Sequence, residues 1–168
     1  MNVAGQVATN FLFWFTFVVH LFNSVSKYLP IMNYWLLKSE PFVFSFNQLL
    51  QDGSGVWDGV RNYQARNFLR SMKEGDLGFF YHSNEGLEIV GIVEITKEAF
   101  PDPTFDGDRW SAVELIPVQK LNNPVKLSDI KQKAELKDMV LVNNTRLSVQ
   151  PVTSSEWSII MQMSGTDI

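Results

Sequence analysis

The chain of 168 residues has no cysteine and only two histidines, His20 and His82. Without a thiol it forms no disulfide, offers no thiolate to a metal and has no cysteine nucleophile. Two histidines are too few for the usual partnership of metal ligands with a general base. Basic charge is scarce as well: 14 lysines and arginines stand against 18 aspartates and glutamates, leaving a net charge of −4. A surface of that balance does not attract polyanions as a whole, so a nucleic-acid site has to be a local basic patch. Long apolar runs are missing too. The densest, residues 11–22 (FLFWFTFVVHLF), falls short of the ~20 residues that a membrane-spanning helix needs, and membrane association is not expected of it.

No lysine or arginine precedes that run and no small-residue cleavage site is evident before Pro30, which argues against a signal peptide. Residues 1–31 read as an apolar N-terminal extension, either a leader or the product of a start placed upstream of the true one at Met32. Residues 32–165 hold the domain proper. Hydrophobic residues make up 45% of the chain and aromatics 13%, enough for one sizeable core rather than two domains. Neither an internal repeat nor a low-complexity segment interrupts it.

After Met32, residues 34–37 read as a strand, and Ser45 with Gln48 forms a capping-box pattern that opens a helix carrying Phe46, Leu49 and Leu50 inward. A second helix is predicted from about Asn62, with Ala65, Phe68, Leu69 and Met72 as its apolar stripe and Arg66, Arg70 and Lys73 on another face. Residues 77–82 and 88–95 read as strands, apolar on nearly every position, as expected where both faces of a sheet are covered. A third long strand is predicted over 110–118. Residues 127–141 look helical from the cap residue Ser128, 147–152 form a strand, and Thr153 with Glu156 caps a final helix that stops near Gly165. The pattern is α+β, with strands first and last and helices between.

Residues 57–70 (WDGVRNYQARNFLR) carry the most chemistry, because an aromatic, a carboxylate, amides and three arginines meet at one loop-to-helix junction. A nucleobase needs a ring to stack on, hydrogen-bonding groups at its edge, and cations for the flanking phosphates. Trp57, Asp58 with Asn62, and Arg61 with Arg66 supply these in turn, with Tyr63 beside them. The bland alternative is a half-buried loop anchor and a solvated helix face. Lys38, Ser39 and Glu40 precede Pro41, which turns the chain out of the sheet and leaves a lysine, a hydroxyl and a carboxylate at a strand end. A polar turn explains them equally well. Tyr81, His82 and Ser83 end another strand, with Phe79 and Tyr81 on one face and Phe80 and His82 on the other. His82 is assigned no proton-transfer role. Asp102, Asp106 and Asp108 with Thr104 do not match calcium-loop spacing and read as a solvated acidic loop, so no metal is expected.

Six segments, YWLLKSEP at 34–41, WDGVRNYQARNFLR at 57–70, GDLGFFYHS at 75–83, IVGIVEI at 89–95, AFPDPTFD at 99–106 and RLSVQPV at 146–152, together resemble an EVE domain and cover nearly everything after Met32. The resemblance implies a PUA-like mixed β-barrel of five to six strands decorated by short helices, related to the YTH domain that recognises methylated adenine in RNA. It implies a non-catalytic binder of a modified base in DNA or RNA, with no cofactor, in the cytoplasm or, in a eukaryote, the nucleus. By similarity, Lys38 and Ser39 begin the pocket, Trp57 is a wall of an aromatic cage, and Arg61, Asn62 and Arg66 lie in the family's most characteristic motif. Two features depart from the family pattern, the apolar leader and a shortened loop after Asp106. Two other readings stay open: a nucleotide-processing enzyme or hydrolase using Glu40, Asp58 and His82, and a protein-binding adaptor. Oligomeric state is open as well.

Overall fold

The computed structural model describes residues 32–167, so the reading of residues 1–31 lies outside the described residues. Six strands form one sheet: β1 (Tyr34–Ser39), β2 (Gly55–Trp57), β3 (Leu77–His82), β4 (Glu88–Pro101), β5 (Ser111–Lys126) and β6 (Val149–Val152). Their spatial order is β2-β5-β4-β3-β1-β6. β1 runs parallel to β3, and every other pairing is antiparallel. β2 and β6 do not pair with each other, so the sheet is barrel-like and open, where the sequence reading expected a barrel.

The strands alternate between two apolar clusters, one on each face. Trp35, Leu37, Phe80, Val93, Val113, Leu115 and Val149 enter the first, with Trp57 of the far edge strand. Because both edge strands, β2 and β6, contribute to that single cluster, the sheet has to curl around it. Repeated register shifts between the long strands β4 and β5 supply the bend. Leu36, Phe79, Tyr81, Ile89, Ile92, Leu121 and Val125 face the second cluster. This two-sided burial is the reason β3 and β4 are apolar at nearly every position.

Helices cover both faces. On the first lie α1 (Phe46–Asp52), capped by the Ser45 hydroxyl at 3.0 Å from the Gln48 amide, and α2 (Tyr63–Leu69), capped by the Asn62 side chain at 3.0 Å from the Ala65 amide. Phe46 and Leu49 bury in this cluster, whereas Leu50, expected inside, is exposed. Gly91 sits under Phe46, and a Cβ there would collide with the phenyl ring. The second face carries α3 (Leu127–Gln132), a 3-10 turn (Ala134–Leu136), α4 (Val140–Asn143) and α5 (Ser154–Ser164). The single helix predicted over 127–141 is therefore three short pieces. Ser128 does not cap it, and the N-cap position falls on Lys126. α5 has the full capping box of Thr153 and Glu156 and ends in left-handed Gly165, as expected. Trp157 of α5 stacks between Phe79 and Tyr34, at ring distances of 4.0 and 4.4 Å.

One buried carboxylate ties the start of the domain to the turn before β3. Asp76 accepts hydrogen bonds from the Trp35 indole at 2.8 Å, the Lys73 amide at 3.0 Å and the Asn33 amide at 3.1 Å.

Candidate nucleic-acid interface

Where β1 leaves the sheet, Pro41 diverts the chain outward, and β2 ends opposite it before α2 begins. A cavity of about 700 Å³ opens between these two exits, within the range of roughly 300–1,000 Å³ common for ligand sites. Lys38, Ser39, Glu40, Trp57, Asp58, Arg61 and Asn62, all singled out from the sequence, line it. Val43, Phe44, Val56, Gly59, Val60 and Ser148 complete the wall. The sequence reading missed Phe44 and Val43, whereas it puts polar Arg146, Ser148 and Gln150 on one side of the last strand, reaching a pocket or facing water, and Ser148 does line the cavity. Phe44 and Val43 had a signal in the PFVF run after Glu40, while Ser148 is brought in by the pairing of β6 with β1, which local pattern does not reveal.

Trp57 is only 6% exposed. Its ring meets Phe80 edge-on at 5.3 Å and 89°, and Phe44 at 6.2 Å. The indole is thus a packed part of the cavity wall rather than a free-standing platform. Half-buried Phe44 is the second aromatic of that wall. Lys38 sends its ammonium to the Thr145 carbonyl at 3.3 Å and over the Tyr81 ring at 5.8 Å, and burial lowers its pKa. Asp58 is exposed, and its pKa is raised, first by desolvation and then by the nearby negative charge of Asp102, against the opposing pull of Arg61.

The remaining residues singled out from the sequence stand elsewhere. Tyr81 is buried in the second cluster, and burial followed by the charge of Glu88 pushes its phenol up to about 12. His82 accepts the Phe46 backbone amide at Nε2, 3.2 Å away, and so serves α1. Burial lowers its pKa, and Glu88 only partly compensates. Ser83 donates its amide to the Ser39 carbonyl at 2.8 Å, supporting the strand end from behind. Tyr63 and Arg66 lie beside the cavity on α2.

The arginines have a task that the sequence did not disclose: all three grip the segment 102–111. Arg61 meets the carboxylate of Asp102 at 2.6 Å and Thr104 at 2.8 Å. Arg66 reaches the Arg109 carbonyl at 3.1 Å, and Arg70 the Asp108 carbonyl and Ser111 hydroxyl, each at 2.8 Å. Asp102, expected in a solvated loop, is buried and also accepts the Gly59 and Thr104 amides at 3.0 and 2.8 Å. Burial alone would raise its pKa, but these hydrogen bonds prevail and hold it at about 2. Among the described residues no group of three or more histidine, cysteine, aspartate or glutamate side chains is arranged to hold a metal.

A sheet opened at one end, a cavity between its first strand and a motif helix, and a wall of aromatics with mixed polar groups define the PUA-like class of modules. The EVE domain model matches residues 33–163, and the chain belongs to that family. Mouse thymocyte nuclear protein 1 is 39% identical over 171 residues, covering 82% of this chain and 76% of that protein. A crystal structure of a protein from Agrobacterium tumefaciens is 51% identical, with a TM-score of 0.78 over 79% of this chain and 93% of the other. Human THYN1 in complex with 5-methylcytosine-containing DNA is 35% identical, with a TM-score of 0.74 over 81% of this chain and 99% of that one. A YTH domain from Zygosaccharomyces rouxii shares the fold at 18% identity and a TM-score of 0.52, over 83% of this chain and 88% of that one.

Proposed function

We propose that this chain is a non-catalytic reader that holds one modified base of DNA or RNA in the cavity between residues 38–40 and 56–62. The observation that carries the reading is the convergence of these two segments, far apart in sequence, on one opening with apolar walls and polar groups at its edge. Human THYN1, a relative solved with methylated DNA, supports it. Glu40 and Asp58 supply acceptor oxygens suited to an exocyclic amine, which cytosine and adenine carry and thymine and uracil lack. Ser39 and Asn62 add hydroxyl and amide groups. The reading places the protein with nucleic acid, in the cytoplasm or, in a eukaryote, the nucleus.

Magnitudes constrain how it would work. Extracting a base from a duplex costs a few kcal/mol, and stacking on one aromatic returns about 1–3 kcal/mol. With Trp57 largely covered, edge hydrogen bonds have to contribute the rest, so single strands are favoured over duplexes. A buried methyl group adds only about 0.8 kcal/mol. Selectivity therefore comes from polar groups that a poorly seated base leaves unsatisfied, at about 1–3 kcal/mol each.

The hydrolase reading through Glu40, Asp58 and His82 has less support, because His82 lies outside the cavity with Nε2 already engaged. The test is binding of matched strands carrying cytosine or 5-methylcytosine, with Ser39→Ala and Asp58→Asn as variants. A reader prefers the modified strand, returns it chemically unchanged, and loses that preference in the variants. Equal binding of both strands, or turnover that stops in Glu40→Gln, would end the proposal.

A further inference from the structure

Beside the cavity lies a second cluster of flat groups that neither the core nor the pocket requires. Tyr63, the first residue of α2, is 58% exposed, and Phe105 is 37% exposed. Between them Trp110 is buried, 5.1 Å from the Tyr63 ring and 6.5 Å from that of Phe105. Guanidinium groups interleave with these rings. Arg66 lies 5.0 Å from the Tyr63 centroid, and Arg61 lies 5.6 Å from Phe105 and 5.7 Å from Trp110.

We propose that this shelf, with Tyr63 as its open ring, stacks the base of the nucleotide adjacent to the one in the cavity. The inference rests on the reader assignment and extends it from a single base to a single-stranded dinucleotide. Three observations favour such an occupant. Continuity is the first: Arg61 and Asn62 line the cavity, and Tyr63 follows them directly in the chain. Charge is the second. Across residues 61–70 and 102–110 four arginines face three aspartates, a local positive balance on a chain of net charge −4. Only Arg61 of the four forms an ion pair among the described residues, so Arg66 and Arg109 keep charge for a phosphate. The third is chemistry. A ring with a guanidinium beside it suits the face of any base, which gives sequence-tolerant stacking of a single strand.

The experiment uses a fluorescein-labelled single strand with one central 5-methylcytosine, and two derivatives in which the 5′ or the 3′ neighbour is abasic. One abasic derivative should bind the wild-type chain roughly 5- to 150-fold more weakly, the range for stacking one base on one ring. Tyr63→Ala should lose that same factor on the intact strand and lose nothing further on the abasic one, while Tyr63→Phe retains wild-type binding. Tyr63→Gln repeats the measurement with a different side chain should the alanine lower the melting temperature. Equal binding of the intact strand by wild type and both variants, or losses that simply add on the abasic strand, would overturn the shelf. The cavity assignment fails separately, by equal affinity for methylated and plain strands with the Tyr63 effect still present.

Discussion

Arg61 and Asp102 meet at 2.6 Å, with the carboxylate wholly buried and the guanidinium partly open to solvent. This contact joins the loop that forms one wall of the cavity to the acidic loop 41 residues further along the chain. Removing one partner of a buried pair costs about 3–5 kcal/mol, and the exposure of Arg61 puts Asp102→Ala at the lower end, about 3 kcal/mol. Chemical denaturation should show that loss. The sign with pH follows from the depressed pKa of Asp102, about 2. Its contribution is present above the unfolded value near 3.9 and is lost as pH falls toward about 2, a window that Asp102→Asn should flatten.

His82 acts in the same direction at higher pH. Its folded pKa is lowered, so the fold favours the neutral imidazole that accepts the Phe46 amide. The stability it contributes is complete above its ordinary value near 6.5 and declines as pH falls below that value. Melting temperatures at pH 7.5 and 5.5 should differ more in the wild type than in His82→Gln, whose carbonyl oxygen also accepts a hydrogen bond without titrating. An equal shift in both proteins would count against this assignment.

Trp57→Ala is the obvious probe of the cavity, and the packing shows why it would mislead. With 6% of its surface exposed and Phe80 and Phe44 against it, its truncation should cost about 3–5 kcal/mol. Binding lost in that variant would then report a damaged core. Trp57→Phe should cost less, and thermal melts of the two variants check the ranking.

Asp76→Ala should be among the more costly polar substitutions. Donors from three residues converge on that carboxylate, including the Trp35 indole at 2.8 Å, and hydrogen bonds to a charged group are worth about 1.5–3 kcal/mol each. A loss of about 2–4 kcal/mol is expected from urea denaturation. Retained stability would mean that water replaces the carboxylate with little penalty.

Binding to nucleic acid should weaken with salt, but gently. Arg61 is paired with Asp102, which leaves Lys38 and Arg66 as the principal cations near the cavity. Two phosphates contacted by such a set give a slope of roughly −1.4 in log K against log salt for a single strand. Titrations at three ionic strengths measure it, and a slope several times steeper would point to a wider basic footprint.

Much of this was legible because local signals and tertiary demands agreed. Ser45, Asn62 and Thr153 each start a helix where the sequence predicts one, although the Gln48 side chain bonds Asp52 and leaves the Ser45 capping box half-made, unlike that of Thr153 and Glu156. Doubly apolar β3 and β4 announced a sheet covered on both faces. The segment 127–141 reads as one helix because its apolar spacing is helical, while the curled sheet beneath it favours short pieces. The loop-holding task of the arginines was illegible for a different reason. Cations beside an aromatic look alike whether they await a phosphate or hold a loop, and only the partner 41 residues away separates the two. Leu50 and Asp102 exchanged their expected places, one outside and one buried, because helix rotation and ion pairing are settled by neighbours remote in sequence.

The two borders of the sheet are unequal to the strands between them. β2 has three residues and β6 four, and Pro151 in β6 has no amide proton to give. A neighbouring molecule that tried to extend the sheet would find almost no rungs to grasp. The curled architecture can therefore stay unclosed without inviting stacking into fibrils.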